Sequence, residues 1–256
     1  MIEFRQVSVG YGRDAAVRDV CLTVPRGSIT TLIGPNGSGK TTLLRAGARL
    51  LPLLQGEIRL DGRPLSAYSR RELAQKAAFL PQSRPVPEMR VRTLIEQGRF
   101  PHLGLSRQLR AADQEAVVQA MALTQTTAWA NRELRSLSGG ERQRVYIAMV
   151  LAQGAEVILL DEPTTYLDLR CQFELLDLIR LLNAQGKTFV LVLHDLAHAL
   201  LCSDQVALLD RGRLVACAAP GELIQSGHID AVMGICTHVT AEGQPYFTPR
   251  AGMPNG

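Results

Sequence analysis

The residues best placed to do chemistry lie in short segments far apart in the chain. Gly34-Pro35-Asn36-Gly37-Ser38-Gly39-Lys40-Thr41 fits the pattern G-x-x-x-x-G-K-[ST] in full, with Thr42 adjoining. Glycines at these spacings let the backbone curl until successive N–H groups point at one anion. A helix starting at Lys40 adds its positive end, Lys40 adds a full charge, and Thr41 offers a hydroxyl to Mg²⁺. The chemistry is polyphosphate binding. Lysine is otherwise almost unused, with 3 residues against 25 arginines, which makes Lys40 conspicuous.

Val157-Ile158-Leu159-Leu160-Asp161-Glu162 joins four apolar residues to two carboxylates. Asp161, at the end of a buried strand, is placed to hold Mg²⁺ through water. Glu162 would face the γ-phosphate and polarise an attacking water. In isolation this is an ordinary strand ending in a charged turn; beside a phosphate loop the catalytic reading prevails. A guanine-nucleotide hydrolase is disfavoured, because none of Lys40, Lys76 and Lys187 sits in an N/T-K-x-D sequence.

Leu137-Ser138-Gly139-Gly140-Glu141 precedes a helical run over 142–152. Ser138 and Glu141 have the spacing of a capping box. The two glycines are poor helix formers, each costing about 0.8–1 kcal/mol relative to alanine, and a simple cap does not need them. They suit a backbone that lets an anion approach the helix N-terminus closely. The chain therefore offers two helix N-termini built for phosphate. One nucleotide fills the first, and the second could serve another copy, so that a head-to-tail pair would enclose two ATP molecules.

Patterning shows the elements that must position these segments. Ile2 and Phe4, then Val20, Leu22 and Val24, alternate with polar residues as half-buried antiparallel strands do. Ile58 and Leu60 continue that pattern into the turn Asp61-Gly62. Apolar runs at 29–33, 157–160 and 188–193 alternate with helical stretches at 40–51 and 169–183. Such runs imply a parallel sheet covered on both faces. From 93 to about 155 the pattern is helical, punctuated by Pro101 and Gly104. Residues 206–209 and 214–217 flank Asp210-Arg211-Gly212-Arg213 as a hairpin, and the Gly- and Pro-rich tail after about Ala241 is expected to carry no chemistry.

Composition excludes several classes. The chain has 256 residues, 46% hydrophobic and 20% charged, which is globular rather than disordered. No apolar stretch approaches the roughly 18–20 residues of a membrane span. Met1-Ile2-Glu3-Phe4-Arg5 lacks the basic and apolar regions of a signal peptide, so a cytosolic, soluble chain is expected. A net charge of +4 argues against a nucleic-acid partner. The five scattered cysteines have no zinc or redox spacing and read as buried free thiols in a reducing compartment. His102, His198, His228 and His238 have no ligand spacing either.

In their order along the chain these motifs resemble those of the nucleotide-binding subunits of ATP-binding-cassette (ABC) transporters, over nearly the whole sequence. The resemblance implies an α/β fold: a P-loop NTPase (RecA-like) parallel-sheet core with an N-terminal antiparallel β subdomain and an inserted α-helical subdomain. The ATPase domain would cover 1–240, with the insertion at about 85–155 and a short tail at 241–256. ATP and Mg²⁺ are the implied ligands, with Thr41, Gln82 and Asp161 at the metal. Tyr11 would stack on adenine, where its pattern alone gives a half-buried strand-end aromatic. Gln82, in Leu80-Pro81-Gln82, matches the glutamine that touches Mg²⁺ and the water and senses the permease; without the family it is a surface loop residue. Asp168, in Thr164-Thr165-Tyr166-Leu167-Asp168, matches the aspartate that communicates across the dimer. His194 matches the switch histidine that contacts the γ-phosphate. Ser138, Gly139 and Gly140 would bind the γ-phosphate of ATP held by the partner subunit. Glu141 stands where many members have Gln, and Thr165 where Ser is frequent; neither removes a required group.

A single cassette without membrane helices resembles an importer subunit. That implies a homodimer docked on integral-membrane permease subunits, served indirectly by a periplasmic or surface substrate-binding protein, and peripheral on the cytoplasmic face of the inner membrane. Residues 163–168 (PTTYLD), 148–153 (AMVLAQ), 98–102 (GRFPH) and 193–196 (LHDL) are similar to importers of iron chelates: ferric siderophores, ferric dicitrate, haem and cobalamin. Import of a ferric siderophore or similar chelate is the leading expectation, with cobalamin or haem import, or a soluble non-transport ABC ATPase, as alternatives. The permease is expected to dock beside Gln82, near 83–102, with Arg99 as a contact charge.

Overall fold

The computed structural model describes residues 1–12, 14–104 and 108–250. The chain divides into two compact units, one of Met1–Leu65 with Val190–Gly256 and one of Ser66–Phe189. The first unit opens with β1 (Ile2–Tyr11), β2 (Asp14–Val24), β3 (Ile29–Ile33), α1 (Lys40–Gly47), β4 (Leu53–Leu60) and β5 (Arg63–Pro64). The second holds α2 (Arg70–Lys76), β6 (Ala77–Leu80), α3 (Val91–Gln97), α4 (Ala111–Leu123), α5 (Gly139–Ala152), β7 (Val157–Asp161) and α6 (Leu169–Ala184). Strand β8 (Thr188–Val192) leads back to the first unit. There follow α7 (Leu196–Cys202), β9 (Gln205–Asp210), β10 (Arg213–Ala218), α8 (Pro220–Gln225), α9 (His228–Met233), β11 (Ile235–Val239) and β12 (Pro245–Pro249).

In the first unit β2-β1-β4-β5 form an antiparallel sheet. Ile2 lies opposite Val24 and Leu60, and Phe4 opposite Leu22 and Ile58, all six buried. The alternation in the sequence thus becomes one buried face. A second sheet runs β10-β9-β3-β8 within this unit. Strand β3 pairs parallel to β9, with Leu32 opposite Ala207, and every residue of β3 is buried. The β9–β10 hairpin turns through Arg211 (φ 46°) and Gly212 (φ 77°), the paired positive φ values of a two-residue hairpin loop. The Gly212 N–H donates to the Ser38 carbonyl at 3.2 Å, so this turn braces the loop that follows β3.

In the second unit β6 runs parallel to β7, with Ala77 opposite Val157 and Leu80 opposite Leu160. Leu80-Pro81-Gln82 and Leu160-Asp161-Glu162 consequently leave the strands side by side at the same end. Helices α3, α4 and α5 pack together through buried Val91, Leu94, Ile95, Val117, Ala120, Met121, Val145 and Ala148. Arg99 and Asp113 form an ion pair at 2.9 Å with only 11% and 8% of their side chains exposed. Arg99 also donates to the Ala152 carbonyl at 2.8 Å. Arg99 is therefore an internal brace, and the expectation that it presents a docking charge is corrected; its neighbour Phe100 is the exposed side chain.

Several boundaries differ from the pattern. Helix α1 stops at Gly47, short of Leu51, because Arg49 turns to φ 56° and the residue before Pro52 disfavours helix. The helical pattern from 93 to about 155 resolves into α3, α4 and α5, broken after α3 by a turn at Gly98 and a short 3-10 turn at Phe100–His102 that contains Pro101; residues 105–107 lie outside the described residues. Helix α2 was not foreseen, although Ser69 and Glu72 form a capping box at its start. The tail carries the β11–β12 hairpin, with Cys236 opposite Thr248, while residues 251–256 lie outside the described residues. All five cysteines are free thiols, but the expectation that they are buried is corrected: only Cys202 is buried, whereas Cys21 and Cys217 sit at outward-facing positions of β2 and β10 and are exposed.

Candidate functional site

The loop after β3 is built for anions. Gly34, Gly37 and Gly39 hold φ values of 143°, 78° and 98°, in the region that side chains rarely adopt. Space closes the same positions: a Cβ at Gly34 would lie 2.0 Å from the Leu209 carbonyl oxygen, and one at Gly39 would lie 2.6 Å from Val17 Cγ2. Lys40 is buried, and its Nζ donates to the carbonyls of Gly34 at 2.8 Å and Pro35 at 2.9 Å. The ammonium is thereby folded back over the loop. Ser38 Oγ is buried with no hydrogen-bond partner among the described residues. No side chain caps α1, and its first turn holds no acidic residue. Positive helix end, buried ammonium and unsatisfied buried hydroxyl together fit the oxygens of a polyphosphate.

Two more predicted residues belong to this unit. Tyr11 ends β1 and is 55% exposed, its hydroxyl accepting from Arg45 Nη1 at 3.3 Å. Tyr11 is thus a strand-end aromatic about half exposed, as its pattern alone gives, and that exposure is compatible with stacking. His194 lies just beyond β8 and is exposed, while Asp195 caps α7 by accepting from the His198 N–H at 2.8 Å.

In the second unit, Asp161 ends β7 and is 1% exposed. Glu162 follows with φ 50°, a left-handed conformation costing about 1–2 kcal/mol for a residue with a side chain. Strain of this kind persists where surrounding contacts fix it. Gln82 Nε2 donates to the Glu162 carboxylate, and Thr165 Oγ1 donates to the same Oε2 at 3.1 Å. Thr165 stood in the sequence only as a departure from Ser; its orienting bond to Glu162 was not foreseen, since only the turn at 162–165 brings the two together.

Ser138 caps α5. Its Oγ accepts from the Glu141 N–H at 3.3 Å, and Glu141 Oε2 accepts from the Ser138 N–H at 2.7 Å. That backbone bond holds the Glu141 carboxyl below the usual carboxylate range. Gly139 is exposed, and a Cβ there would come no closer than 3.8 Å to the Tyr166 carbonyl oxygen. At Gly140 it would meet Cys171 Sγ at 2.8 Å, so the second glycine is required by helix packing as well. Asp168 caps α6 by accepting from the Cys171 N–H at 2.8 Å, which draws its carboxyl below the ordinary value. The segments around Ser138 and Asp168 thus meet, and Tyr166 between them is 93% exposed.

A family model described as ABC transporter matches residues 17–165, more than half of the chain. The chain belongs to the ABC transporter family. Its relatives in that family are ATP-binding subunits. The chain is 40% identical over 232 residues to the ferric enterobactin transport ATP-binding protein of Escherichia coli, covering 90% of this chain and 86% of that one. It is 42% identical over 212 residues to the iron(3+)-hydroxamate import ATP-binding protein of Bacillus subtilis, covering 82% and 79%. Among solved structures, a metal-chelate type ABC transporter in an inward-facing conformation superposes with a TM-score of 0.82 at 25% identity, covering 97% of this chain and 96% of that one. As a member of the family the chain is an ABC ATPase with the α/β fold of P-loop NTPases.

Proposed function

We propose that this ABC ATPase energises the import of an iron chelate, of the ferric-siderophore kind, through a separate membrane permease. The observation that carries the reading is the pair of anion-ready helix N-termini, α1 behind the glycine loop and α5 behind Ser138-Gly139-Gly140, in a chain with one phosphate loop. The second terminus lacks a nucleotide of its own, which favours a homodimer in which each copy completes the site of the other. Relatives acting on ferric enterobactin and on iron hydroxamate support iron-chelate cargo. No described helix is long and apolar enough to cross a membrane; in this reading the chain is a peripheral subunit on the cytoplasmic face.

In this reading Gly34, Pro35, Asn36, Gly37, Ser38, Gly39, Lys40, Thr41 and Thr42 bind the ATP phosphates, and the exposed ring of Tyr11 stacks on adenine. Ser138, Gly139, Gly140 and Asp168 act across the dimer. Glu162, oriented by Gln82 and Thr165, takes the proton of the attacking water, and His194 holds the γ-phosphate. The donor set of Thr41 hydroxyl, Gln82 amide and Asp161 carboxylate is hard oxygen, which suits Mg²⁺. In this reading the cation is held largely by substrate phosphates. Bound there, Mg²⁺ would neutralise charge developing on the phosphates. ATP shared between two copies stabilises only the closed dimer, and its hydrolysis lets the copies part. The permease docks beside Gln82, along 83–102, where Phe100 is 63% exposed.

Uptake of labelled iron tests the proposal, offered with a panel of chelators and as haem to cells lacking the chain. Loss of one chelate's uptake, restored by wild type and not by Glu162→Gln, is the expected result. Unchanged uptake across the panel would remove iron and leave cobalamin or a non-transport role.

A further inference from the structure

Arg84 lies two residues beyond Gln82, in a segment stiffened by Pro85 and Pro87. Its guanidinium is turned inward, against α5. Nη2 donates to Gln143 Oε1 at 2.6 Å, and Cζ stands 4.0 Å from the centroid of the Tyr146 ring. Tyr146 returns a bond to the same segment, its hydroxyl donating to the Pro85 carbonyl at 3.2 Å. Gln143 and Tyr146 are one turn apart on α5, so they form a single face, and they are 8% and 6% exposed.

The composition of this contact is unusual. A guanidinium turned into the protein commonly faces a carboxylate, yet among the described residues none is paired with Arg84, which is partly buried. Its partners are a neutral amide and an aromatic face. Burial lowers its pKa to about 10, with Tyr146 opposing that shift. Arg84 Nη1 and Gln143 Nε2 are both buried without an acceptor among the described residues. Such a joint is specific in geometry and incompletely satisfied, so it holds two elements in register without locking them.

Both ends of the joint lead to the chemistry. On one side, Gln82 is bonded to the Glu162 carboxylate. On the other, α5 begins at Ser138-Gly139-Gly140, five residues before Gln143. We propose that Arg84 is a positioning residue that couples the Gln82–Glu162 pair to the N-terminus of α5, so that the water-activating group and the partner-facing anion site of one chain respond together. This inference rests on the functional reading above and adds a physical link that the reading does not contain. It acts through packed side chains and hydrogen bonds within one unit, the kind of contiguous network that carries coupling.

The test is a double-mutant cycle on dimer formation driven by a non-hydrolysable ATP analogue, in the full-length chain with Glu162 intact. The dimer dissociation constant is measured for Gln82→Ala, Ser138→Ala and both together, first with Arg84 and then with Arg84→Met. With Arg84 present, the double variant is expected to depart from the product of the single effects by about five-fold or more. With Arg84→Met the effects are expected to multiply to within about two-fold. Should Arg84→Met fail to fold, Gln143→Leu, which removes the acceptor and leaves the stacked cation, carries the same expectation. Coupling that survives the loss of Arg84, or that is absent when Arg84 is present, overturns the proposal while analogue-driven dimers still form. Absence of any analogue-driven dimer is a different result, and it takes down the functional reading together with this inference.

Discussion

Gln82 donates its side-chain N–H to the carboxylate of Glu162, eighty residues further along the chain. The pairing of β6 with β7 sets Leu80 opposite Leu160, so the two side chains leave neighbouring strands at one level. Glu162 meets Gln82 from a backbone turned left-handed at φ 50°. With Thr165 as a second donor, the carboxylate is oriented before any substrate arrives. Pre-orientation of this kind is what a general base requires.

Glu162→Gln keeps the size of the side chain and removes the proton acceptor. Phosphate release should fall by about 10²–10⁴-fold, with nucleotide affinity essentially unchanged. Steady-state hydrolysis and nucleotide titration on the same preparation check this. Turnover at the normal rate would remove Glu162 from its assigned role.

Gly34→Ala places a Cβ 2.0 Å from the Leu209 carbonyl oxygen at a φ of 143°. The loop must shift to admit it, so nucleotide binding should be lost and the melting temperature should drop. Gly37→Ala has open space around it and bears only the backbone strain of φ 78°. Its thermal cost should be clearly the smaller of the two.

Ser138→Ala removes the cap of α5 and should cost about 1 kcal/mol of stability. Ser138→Asp keeps a capping oxygen and adds a negative charge where the partner's phosphate is expected. The Asp variant should therefore melt near wild type, bind ATP as a monomer, and fail to form ATP-driven dimers. Light scattering with and without ATP, beside a thermal melt, separates the two effects. Dimers in the Asp variant would leave Ser138 with a capping role alone.

Asp113 is held below the ordinary carboxylate range, first by the Arg110 backbone N–H and then by Arg99, against the opposing effect of its burial. A carboxyl whose pKa is depressed by folding stabilises above its unfolded value, near 4, and that contribution is lost as pH falls through the folded value. Asp113→Asn leaves Arg99 buried and unpaired, a change that typically costs about 3 kcal/mol at neutral pH. As pH falls below about 4 its melting temperature should fall less than that of wild type, while above that pH the two profiles run parallel. Profiles that stay parallel below that pH would remove Asp113 from the acid response.

The phosphate loop was legible in the sequence because its chemistry is local. Eight consecutive positions fix the turn, the charge and the helix start, and no distant contact is needed to read them. The same holds for the apolar strands that end at Ile33 and Asp161, and for the Ser138–Glu141 capping box, whose partners are three residues apart. Tertiary structure decided whatever depends on neighbours remote in sequence. Register between β6 and β7 brought Gln82 to Glu162, while packing on α5 turned Arg84 inward and left it without a carboxylate. The Arg99–Asp113 pair is likewise buried, although the sequence alone suggests Arg99 as a docking charge. Helix ends at Gly47 and within 93–155 were set by turns that periodicity does not register. A side chain's type and local spacing state what it can do; its burial and partners, set by chain segments tens of residues away, determine what it faces.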